Sequence, residues 1–352
     1  MRPRLNPALC RVWREPGTVQ FGITPGHAVV LGGMGRVESI VLAAMDGEHD
    51  LRSLRALAIA SGGRGEVADR LVDVLTSAGA VLDRDATTAE PGGDAVRAPD
   101  VASLALVART PDGGQAGLTA RHHARVDVIG AGRVGATVAR LLASGGVGEV
   151  NVDDPGLTRP ADVSPGGLGR DAVGLPRERA TGELLAAELP GPTDHTSPPA
   201  AHVAVVAPAP PAASDHPDAR PDPGRTDRDL AQLLRAGVPH LVVQIVETTG
   251  IVGPFVVPGR TSCPRCHDMH RTDRDRAWPL VLHQSATRPP RLPACDASLA
   301  TTVAGLAAGQ VLAHLDGFDV ATLDATIEID LPYGLPRRRS WRPHPGCGCA
   351  WV

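Results

Sequence analysis

The sequence predicts an α/β protein in which a small, winged-helix-like α+β domain precedes a larger domain of alternating strands and helices. Three observations lead to this prediction. The chain has 352 residues, 42% of them hydrophobic, which is enough for about two domains. Short strand patterns followed by three helical patterns occupy the first 85 residues. A strand, a glycine-rich turn and a helix follow one another from residue 126 onward.

Composition excludes several classes of protein. The net charge is -4 with both signs mixed along the chain, so no basic face for nucleic acid is expected. The longest apolar stretch, Ala200 to Ala213, is interrupted by prolines, and the N-terminus lacks the apolar core of a signal peptide. We therefore expect a cytoplasmic protein without a membrane partner. All 35 residues counted as Lys or Arg are arginine, so no lysine can hold a phosphate.

Residues 1–85 predict a small sheet followed by helices. A Pro-Gly turn at Pro16 joins the strands Cys10–Arg14 and Thr18–Ile23, and His27–Leu31 is a third strand. Three helices and a last short strand follow, at Arg36–Met45, Leu51–Ala60, Glu66–Ala78 and Ala80–Asp83. This order is similar to a winged helix-turn-helix unit.

A linker and a second domain follow. Residues 86–98 are rich in Thr, Gly, Asp and Pro, and residues 99–352 form the second domain. Within that domain, residues 192–228 are rich in Pro and Asp and predict a surface loop. Leu299–Leu315 is mostly small and apolar, which indicates a buried helix, and Thr322–Asp330 alternates as a half-buried strand does.

The glycine-rich turn predicts a Rossmann-like fold. The strand Val126–Ile129 runs into a G-x-G-x-x-G sequence, Gly130, Gly132 and Gly135, and then into a helix. Asp153 ends the next strand, 23 residues after Gly130, where a ribose hydroxyl would be bound. The same glycines also permit tight packing of a helix on a strand, so a bound nucleotide and a purely structural turn both stay open.

Two cysteine pairs predict a structural zinc site. The pairs are C-x-x-C and C-x-C, formed by Cys263, Cys266, Cys347 and Cys349. Four thiolates complete a tetrahedral site, which leaves no open position for catalysis. A rival set consists of Cys263 and Cys266 with His270 and His344.

The second domain resembles the ThiF- and MoeB-type adenylating enzymes, relatives of ubiquitin-activating enzymes, over roughly residues 100–350. The resemblance rests on Gly146-Val-Gly-Glu-Val-Asn-Val-Asp153 and Asp171-Ala-Val-Gly174. It implies that Arg177 stands where that family has an ATP-contacting lysine, and that zinc is held by two cysteine pairs. The family's N-L-x-R-Q segment is missing after Asp153, and Ala207-Pro-Ala209 stands where a magnesium-binding aspartate is expected. These absences count against ATP chemistry at this site.

The whole chain resembles the leader-peptide-binding partners of azole-forming cyclodehydratases, which carry an N-terminal RiPP recognition element. The resemblance rests on Arg2-Pro-Arg-Leu-Asn-Pro, on Trp278-Pro279 and on the ending His344-Pro-Gly-Cys-Gly-Cys349. It implies that a leader peptide adds as a strand beside the third strand and packs on the third helix, at Val29, Val30, Leu31 and Leu71. Plain core packing of these residues is the alternative.

The expected function is a substrate-presenting subunit that binds a ribosomal precursor peptide and works with a separate YcaO-type cyclodehydratase. An active adenylyltransferase acting on a peptide or ubiquitin-like carrier is the second hypothesis, and an NAD(P)-dependent oxidoreductase is the third. In the second, Cys295 is a candidate acceptor of the activated carboxylate, with a spare thiol as the alternative. The oligomeric state, a homodimer included, stays open.

Overall fold

The computed structural model describes residues 1–87, 95–186, 188, 201–208, 224–288 and 292–350. The chain divides into two compact units, Met1–Thr119 and Ala120–Val352. The predicted linker over 86–98 lies partly outside the described residues, and the predicted loop over 192–228 lies mostly outside them.

The first unit contains two small sheets and a group of helices. Its elements are β1 (Pro3–Leu5), β2 (Arg11–Glu15), β3 (Thr18–Phe21), β4 (Val29–Leu31), α1 (Arg36–Ala43), α2 (Leu51–Ala60), α3 (Glu66–Ser77), β5 (Val81–Asp83) and α4 (Ala98–Ala108), and α5 (Gln115–His122) spans the boundary between the units. Strands β2, β3 and β4 form an antiparallel sheet in that order, and β1 pairs with β5. The predicted hairpin, third strand and three helices are thereby confirmed.

Side-chain alternation explains how the first unit folds. In β3, Val19 and Phe21 point into the core and are buried, while the residues between them are not. Helix α3 contributes Leu71 and Leu75 from one face to the same core. Asp50 caps the start of helix α2, because its carboxylate accepts a hydrogen bond from the backbone N–H of Ser53.

The second unit is built on one seven-stranded sheet. Its elements are β6 (Arg125–Ile129), α6 (Gly135–Ser144), β7 (Glu149–Asp153), α7 (Arg177–Ala186), β8 (Val203–Val206), α8 (Arg225–Arg235), β9 (His240–Val246), β10 (Thr249–Val256), α9 (Pro264–Arg274), α10 (Trp278–Thr287), α11 (Ala297–Leu315), β11 (Ala325–Asp330) and β12 (Leu335–Ser340). The strand order is β12-β11-β10-β9-β8-β6-β7. Strands β9, β8, β6 and β7 are parallel neighbours, and β10, β11 and β12 continue the sheet antiparallel.

Apolar residues place helices on both faces of this sheet. All four residues of β8 are buried, as expected for a central parallel strand covered on both sides. Helices α6 and α11 share one core with β6, β8 and β9, while Leu230 of α8 packs with Val206 and Val242 in another cluster. Because parallel strands present their carboxyl ends at one edge, the turns after β6, β7 and β8 meet there.

Helix α11 is the one helix among the described residues that is long and apolar enough to cross a membrane. Its residues Leu299, Val303, Ala307 and Val311 are spaced by four and are all buried in the core of the second unit. Asp296 caps its first turn by accepting a hydrogen bond from the backbone N–H of Leu299. The predicted buried helix is confirmed, and its apolar face packs against the protein's own sheet.

Candidate functional site

The glycine-rich turn connects β6 to α6 at the carboxyl edge of the sheet. Gly130 has φ +98°, and a Cβ there would lie 2.2 Å from the carbonyl oxygen of Ala207. A Cβ on Gly135 would lie 1.9 Å from the carbonyl oxygen of Gly130. These close approaches require glycine for packing alone, so the motif does not by itself indicate a ligand.

The side chain of Asp154, rather than that of Asp153, interacts with this turn. One carboxylate oxygen of Asp154 accepts a hydrogen bond from the backbone N–H of Ala131 at 2.8 Å, and the other accepts from that of Gly156 at 2.9 Å. Burial works to raise the pKa of Asp154, but the hydrogen bonds and charge of Arg177 outweigh it and hold the pKa below its ordinary value. The turn therefore already donates an N–H to an anion that belongs to the chain itself.

Arg177, at the start of α7, is buried between two carboxylates. Its Nε and Nη2 donate to Asp154, each at 2.9 Å, and Nη1 donates to Asp162 at 3.1 Å and to the carbonyl of Leu157 at 2.9 Å. Burial works to lower the pKa of Arg177, and the two carboxylates raise it further than burial lowers it. The guanidinium charge is thus neutralised by carboxylates of the same chain, and most of its N–H groups already donate hydrogen bonds.

Asp153 is also ion-paired. Its side chain is 65% exposed, and one carboxylate oxygen lies 2.7 Å from Nη2 of Arg225, at the start of α8. Arg225 also lies 3.5 Å from Asp229. Asp153, which is expected to bind a ribose hydroxyl, therefore contacts the guanidinium of Arg225 in the same chain.

A narrow cavity opens at the switch point between β6 and β8. Its walls include Gly132 and Arg133 of the turn, Pro208 after β8, Gln244 of β9 and Cys295. Its volume of about 30 Å³ holds a few water molecules at most. A nucleotide does not fit in this cavity unless the walls move apart.

Cys295 lies beside this cavity as a thiol. Burial raises its pKa, and the neighbouring Arg133 guanidinium offsets only part of that rise. A thiol with a raised pKa is a poor nucleophile near neutral pH, so the geometry brings Cys295 to the carboxyl edge of the sheet without activating it.

The four predicted cysteines come together. The Sγ atoms of Cys263 and Cys347 are 3.6 Å apart, those of Cys266 and Cys349 are 3.3 Å apart, and those of Cys263 and Cys266 are 3.9 Å apart. With Zn–S bonds of about 2.3 Å, a tetrahedral site has S–S edges of about 3.8 Å, whereas a disulfide is about 2.05 Å long. The four sulfurs therefore lie within metal-binding distance of one another.

In this cluster, burial and the neighbouring sulfurs oppose ionisation of Cys263 and Cys349 unless a cation is bound. Burial raises the pKa of Cys263 to about 12 and also raises that of Cys349. Burial acts the same way on Cys266, but hydrogen bonds from the backbone of His344 and from its cysteine neighbours hold its pKa below the ordinary value. Four thiolates so close together need a positive ion between them. His270 and His344 of the rival set lie outside this cluster, in a second group with Asp273.

The candidate peptide-binding residues lie in the first unit. Val29 and Leu31 of β4 are partly buried and pack on the core, Leu71 of α3 is buried in that core, and Val30 is 46% exposed. Strand β4 is an edge of its sheet, pairing with β3 on one side. The prediction of a peptide strand at this edge stays a prediction.

The residues that sequence reasoning missed are the internal partners of the nucleotide-type site, namely Asp154, Asp162 and Arg225. Asp154 carried a signal, since successive side chains in an extended segment point to opposite sides and Asp154 therefore points away from Asp153. No sequence signal pointed to Asp162 or Arg225, because the sequence does not show where the segments that contain them lie in the fold.

Comparison with solved structures gives full-length matches. The chain aligns with E. coli MccB bound to AMPCPP and MccA at a TM-score of 0.73 and 15% identity, covering 100% of both chains. It aligns with the microcin C7 biosynthetic enzyme MccB in complex with N-formylated MccA at a TM-score of 0.70 and 16% identity, covering 99% of this chain and 100% of the other. The heterocyclase TruD matches at a TM-score of 0.61 and 15% identity, covering 99% of this chain and 42% of TruD.

No protein-family model matches the chain, and no curated protein matches it. At 15–17% identity the structural matches establish the fold. Over its whole length this chain therefore has the fold of MccB, a microcin C7 biosynthetic enzyme whose crystal structures include complexes with MccA.

Proposed function

We propose that this protein binds the leader segment of a ribosomal precursor peptide and presents it to a separate YcaO-type cyclodehydratase that forms azole rings. The observation that carries the proposal is the state of the nucleotide-type site, where Asp154 and Arg177 pair with each other. A ThiF-like fold is retained while its nucleotide site serves the protein's own structure. In this role the protein acts in the cytoplasm and carries out no ATP chemistry of its own.

The internal ion pairs support the absence of ATP chemistry. A triphosphate at the turn would displace the Asp154 carboxylate from the N–H of Ala131 and would compete for Arg177. Separating a buried, hydrogen-bonded pair costs about 3–5 kcal/mol, and Asp154 would then face the phosphates with the same charge. Adenylation needs cations where phosphate charge builds up, and Arg177 is engaged.

The comparisons support a peptide substrate. MccB has been crystallised with MccA, so the fold accommodates a peptide. The heterocyclase TruD contains this chain's fold in 42% of its length. In TruD this fold accompanies further chain, and we propose that a YcaO-type enzyme is the corresponding partner of this protein.

Strand β4 is the edge at which we propose that the peptide adds. Residues Val12, Gln20 and Val30 form one row across the sheet, with Val12 on the opposite edge strand. Val12 and Val30 are 44% and 46% exposed, so each could be changed without disturbing the core. A peptide beside β4 would use backbone hydrogen bonds for affinity and side chains near Val30 for selectivity.

We propose that the four-cysteine cluster holds a structural zinc ion. Zinc bound there would join the segment of Cys263 and Cys266 to the tail that carries Cys347 and Cys349. A closed four-thiolate site offers no position for substrate, so its contribution is to stability.

The test is calorimetry on the full-length protein with two probes, ATP·Mg and a set of synthetic leader peptides from azole-containing ribosomal peptides. We expect binding of at least one peptide and no heat from ATP·Mg. Val30→Asp should weaken peptide binding at least tenfold, and Val12→Asp, its matched control on the other edge, should not. Loss of binding in Val12→Asp alone would contradict the assignment to β4.

An active adenylyltransferase is the second candidate, because MccB, which has the same fold, has also been crystallised with ATP. Tight ATP·Mg binding together with peptide-dependent exchange of pyrophosphate into ATP would replace the first proposal by this one.

An NAD(P)-dependent oxidoreductase rests on the glycine turn alone, and quenching or enhancement of NADH fluorescence by the protein would support it.

A further inference from the structure

The C-terminal tail is held against α9 by contacts outside the four cysteines. Nε2 of His344 lies 2.9 Å from a carboxylate oxygen of Asp273, in the last turn of α9. Nδ1 of the same ring accepts a hydrogen bond from the backbone N–H of Gly346 at 3.0 Å. The His344 side chain is 12% exposed although it lies three residues before a cysteine of the cluster.

These two contacts determine where the ring proton lies. Because the N–H of Gly346 donates to Nδ1, the proton of the neutral ring must be on Nε2, from which it is donated to Asp273. The backbone N–H of Cys347 donates to the carbonyl of His344 at 2.9 Å. His344 thus organises the turn that carries Cys347, and Asp273 fixes His344 to the helix that carries Cys266.

The same arrangement argues against a second metal site. Ligand atoms of His270, Asp273 and His344 lie within 4.8 Å of one another, which would allow a metal ion by distance alone. However, Gly346 occupies the lone pair of Nδ1, and the proton occupies Nε2. His270 directs its own Nε2 to the carbonyl of Arg342 at 2.9 Å. These hydrogen bonds therefore explain why His270, Asp273 and His344 lie close together, and no metal ion is needed to explain it.

We propose that His344 and Asp273 are positioning residues for the four-cysteine site, which hold the Cys347–Cys349 pair in the geometry that binds zinc. This inference rests on the proposed zinc site. A free tail would have to lose conformational freedom each time it closed on the metal, whereas the Gly346–His344–Asp273 hydrogen bonds order it beforehand. Partners of this kind, one shell outside the ligands, typically contribute 10–100-fold to metal affinity.

The experiment compares full-length variants for zinc content, for zinc affinity by competition with a chromogenic chelator, and for the visible spectrum with Co²⁺. Asp273→Ala should weaken zinc binding about 10–100-fold while the Co²⁺ spectrum still shows tetrahedral thiolate coordination. Asp273→Asn keeps an oxygen that can accept from Nε2 and should restore most of the affinity. Asp275→Ala removes a neighbouring exposed acid that caps the backbone of Ala277, and it should leave zinc affinity unchanged.

His344→Ala tests the other side of the contact and should weaken zinc binding as Asp273→Ala does, with His283→Ala as the control for loss of an exposed histidine. Unchanged affinity in both variants would overturn the inference. Two zinc ions per wild-type chain, falling to one in Asp273→Ala, would overturn it in favour of a second metal site. A wild-type protein that binds neither zinc nor Co²⁺ would instead refute the proposed zinc site itself.

Discussion

At the scale of single residues, Arg177 pairs with Asp154 and Asp162 at the carboxyl edge of the sheet. The sequence resemblance places Arg177 where adenylating enzymes have an ATP-contacting lysine, because it follows a segment similar to theirs. In the folded protein its guanidinium meets two carboxylates whose side chains are 6% and 2% exposed. A basic residue at a ligand position is therefore not evidence of a ligand until its internal partners are known.

The first prediction concerns this ion pair. Arg177→Met should lower the free energy of unfolding by about 3–5 kcal/mol, because it leaves two buried carboxylates without their cation. Arg179→Met, on the same helix, removes an exposed pair with Glu183 and should change the free energy of unfolding by about 0.5 kcal/mol or less. Urea titration of both variants measures these changes. Equal changes in the free energy of unfolding would show that the buried ion pairs of Arg177 stabilise the protein no more than the exposed pair of Arg179.

At the scale of elements, the β6–α6 turn shows why a glycine motif has two interpretations. Gly130 must adopt φ +98° with a carbonyl oxygen against its Cα, and Gly135 must approach Gly130 closely. Both requirements follow from placing a helix directly after a buried strand, whether or not a nucleotide binds. The motif predicts the strand–turn–helix unit reliably for this reason, and it predicts a ligand only in combination with other residues.

The second prediction compares substitution of Gly130 in this turn with substitution of a glycine that has free space around it. Gly130→Ala should lower the free energy of unfolding by at least about 2 kcal/mol, since it combines an unfavourable φ with a clash against backbone. Gly305→Ala is the matched control, because Gly305 lies in α11 with nothing within 4 Å of its Cβ position. That change should be neutral or stabilise the protein by up to about 1 kcal/mol. A stable Gly130→Ala protein would mean that the turn relaxes more easily than its contacts suggest.

At the scale of the whole molecule, the second unit is closed by cysteines that lie far apart in the chain. Cys263 and Cys347 are 84 positions apart in the chain, and between them lie α9, α10, α11 and the hairpin of β11 and β12. A metal ion at the cluster would constrain this entire segment. Because such an ion binds the folded chain better than the unfolded one, it shifts the folding equilibrium toward the native state.

The third prediction follows from this closure. Removal of the metal by a chelator should lower the melting temperature by at least about 5 °C, and Cys347→Ser should reproduce the loss without chelator. Cys10→Ser changes an exposed cysteine outside the cluster and should leave both the melting temperature and the response to chelator as in the wild type. Differential scanning calorimetry gives these values directly. Insensitivity of the wild-type protein to chelator would contradict a structural metal.

The sequence by itself determined the elements whose signals are local. Alternation and four-residue spacing predicted the hairpin, the three N-terminal helices, the glycine turn and α11, because the period of a strand or helix appears directly in the chain. It also paired the four cysteines, since the short spacing within each pair makes two sulfurs available to one ion. Strands β1, β9, β10 and β12 and helices α4, α5, α7, α8 and α10 were not predicted, because their boundaries and burial depend on distant segments.

Tertiary structure alone decided how the charged residues are used. Asp154 and Arg177 are 23 positions apart, Asp153 and Arg225 are 72 apart, and His344 and Asp273 are 71 apart. Which carboxylate meets which guanidinium or imidazole depends on where loops return to the sheet edge, and no periodicity in the sequence records that. A charge's partner determines whether it is free to bind a ligand, so the internal pairing of Asp153, Asp154 and Arg177 became visible only in the folded chain.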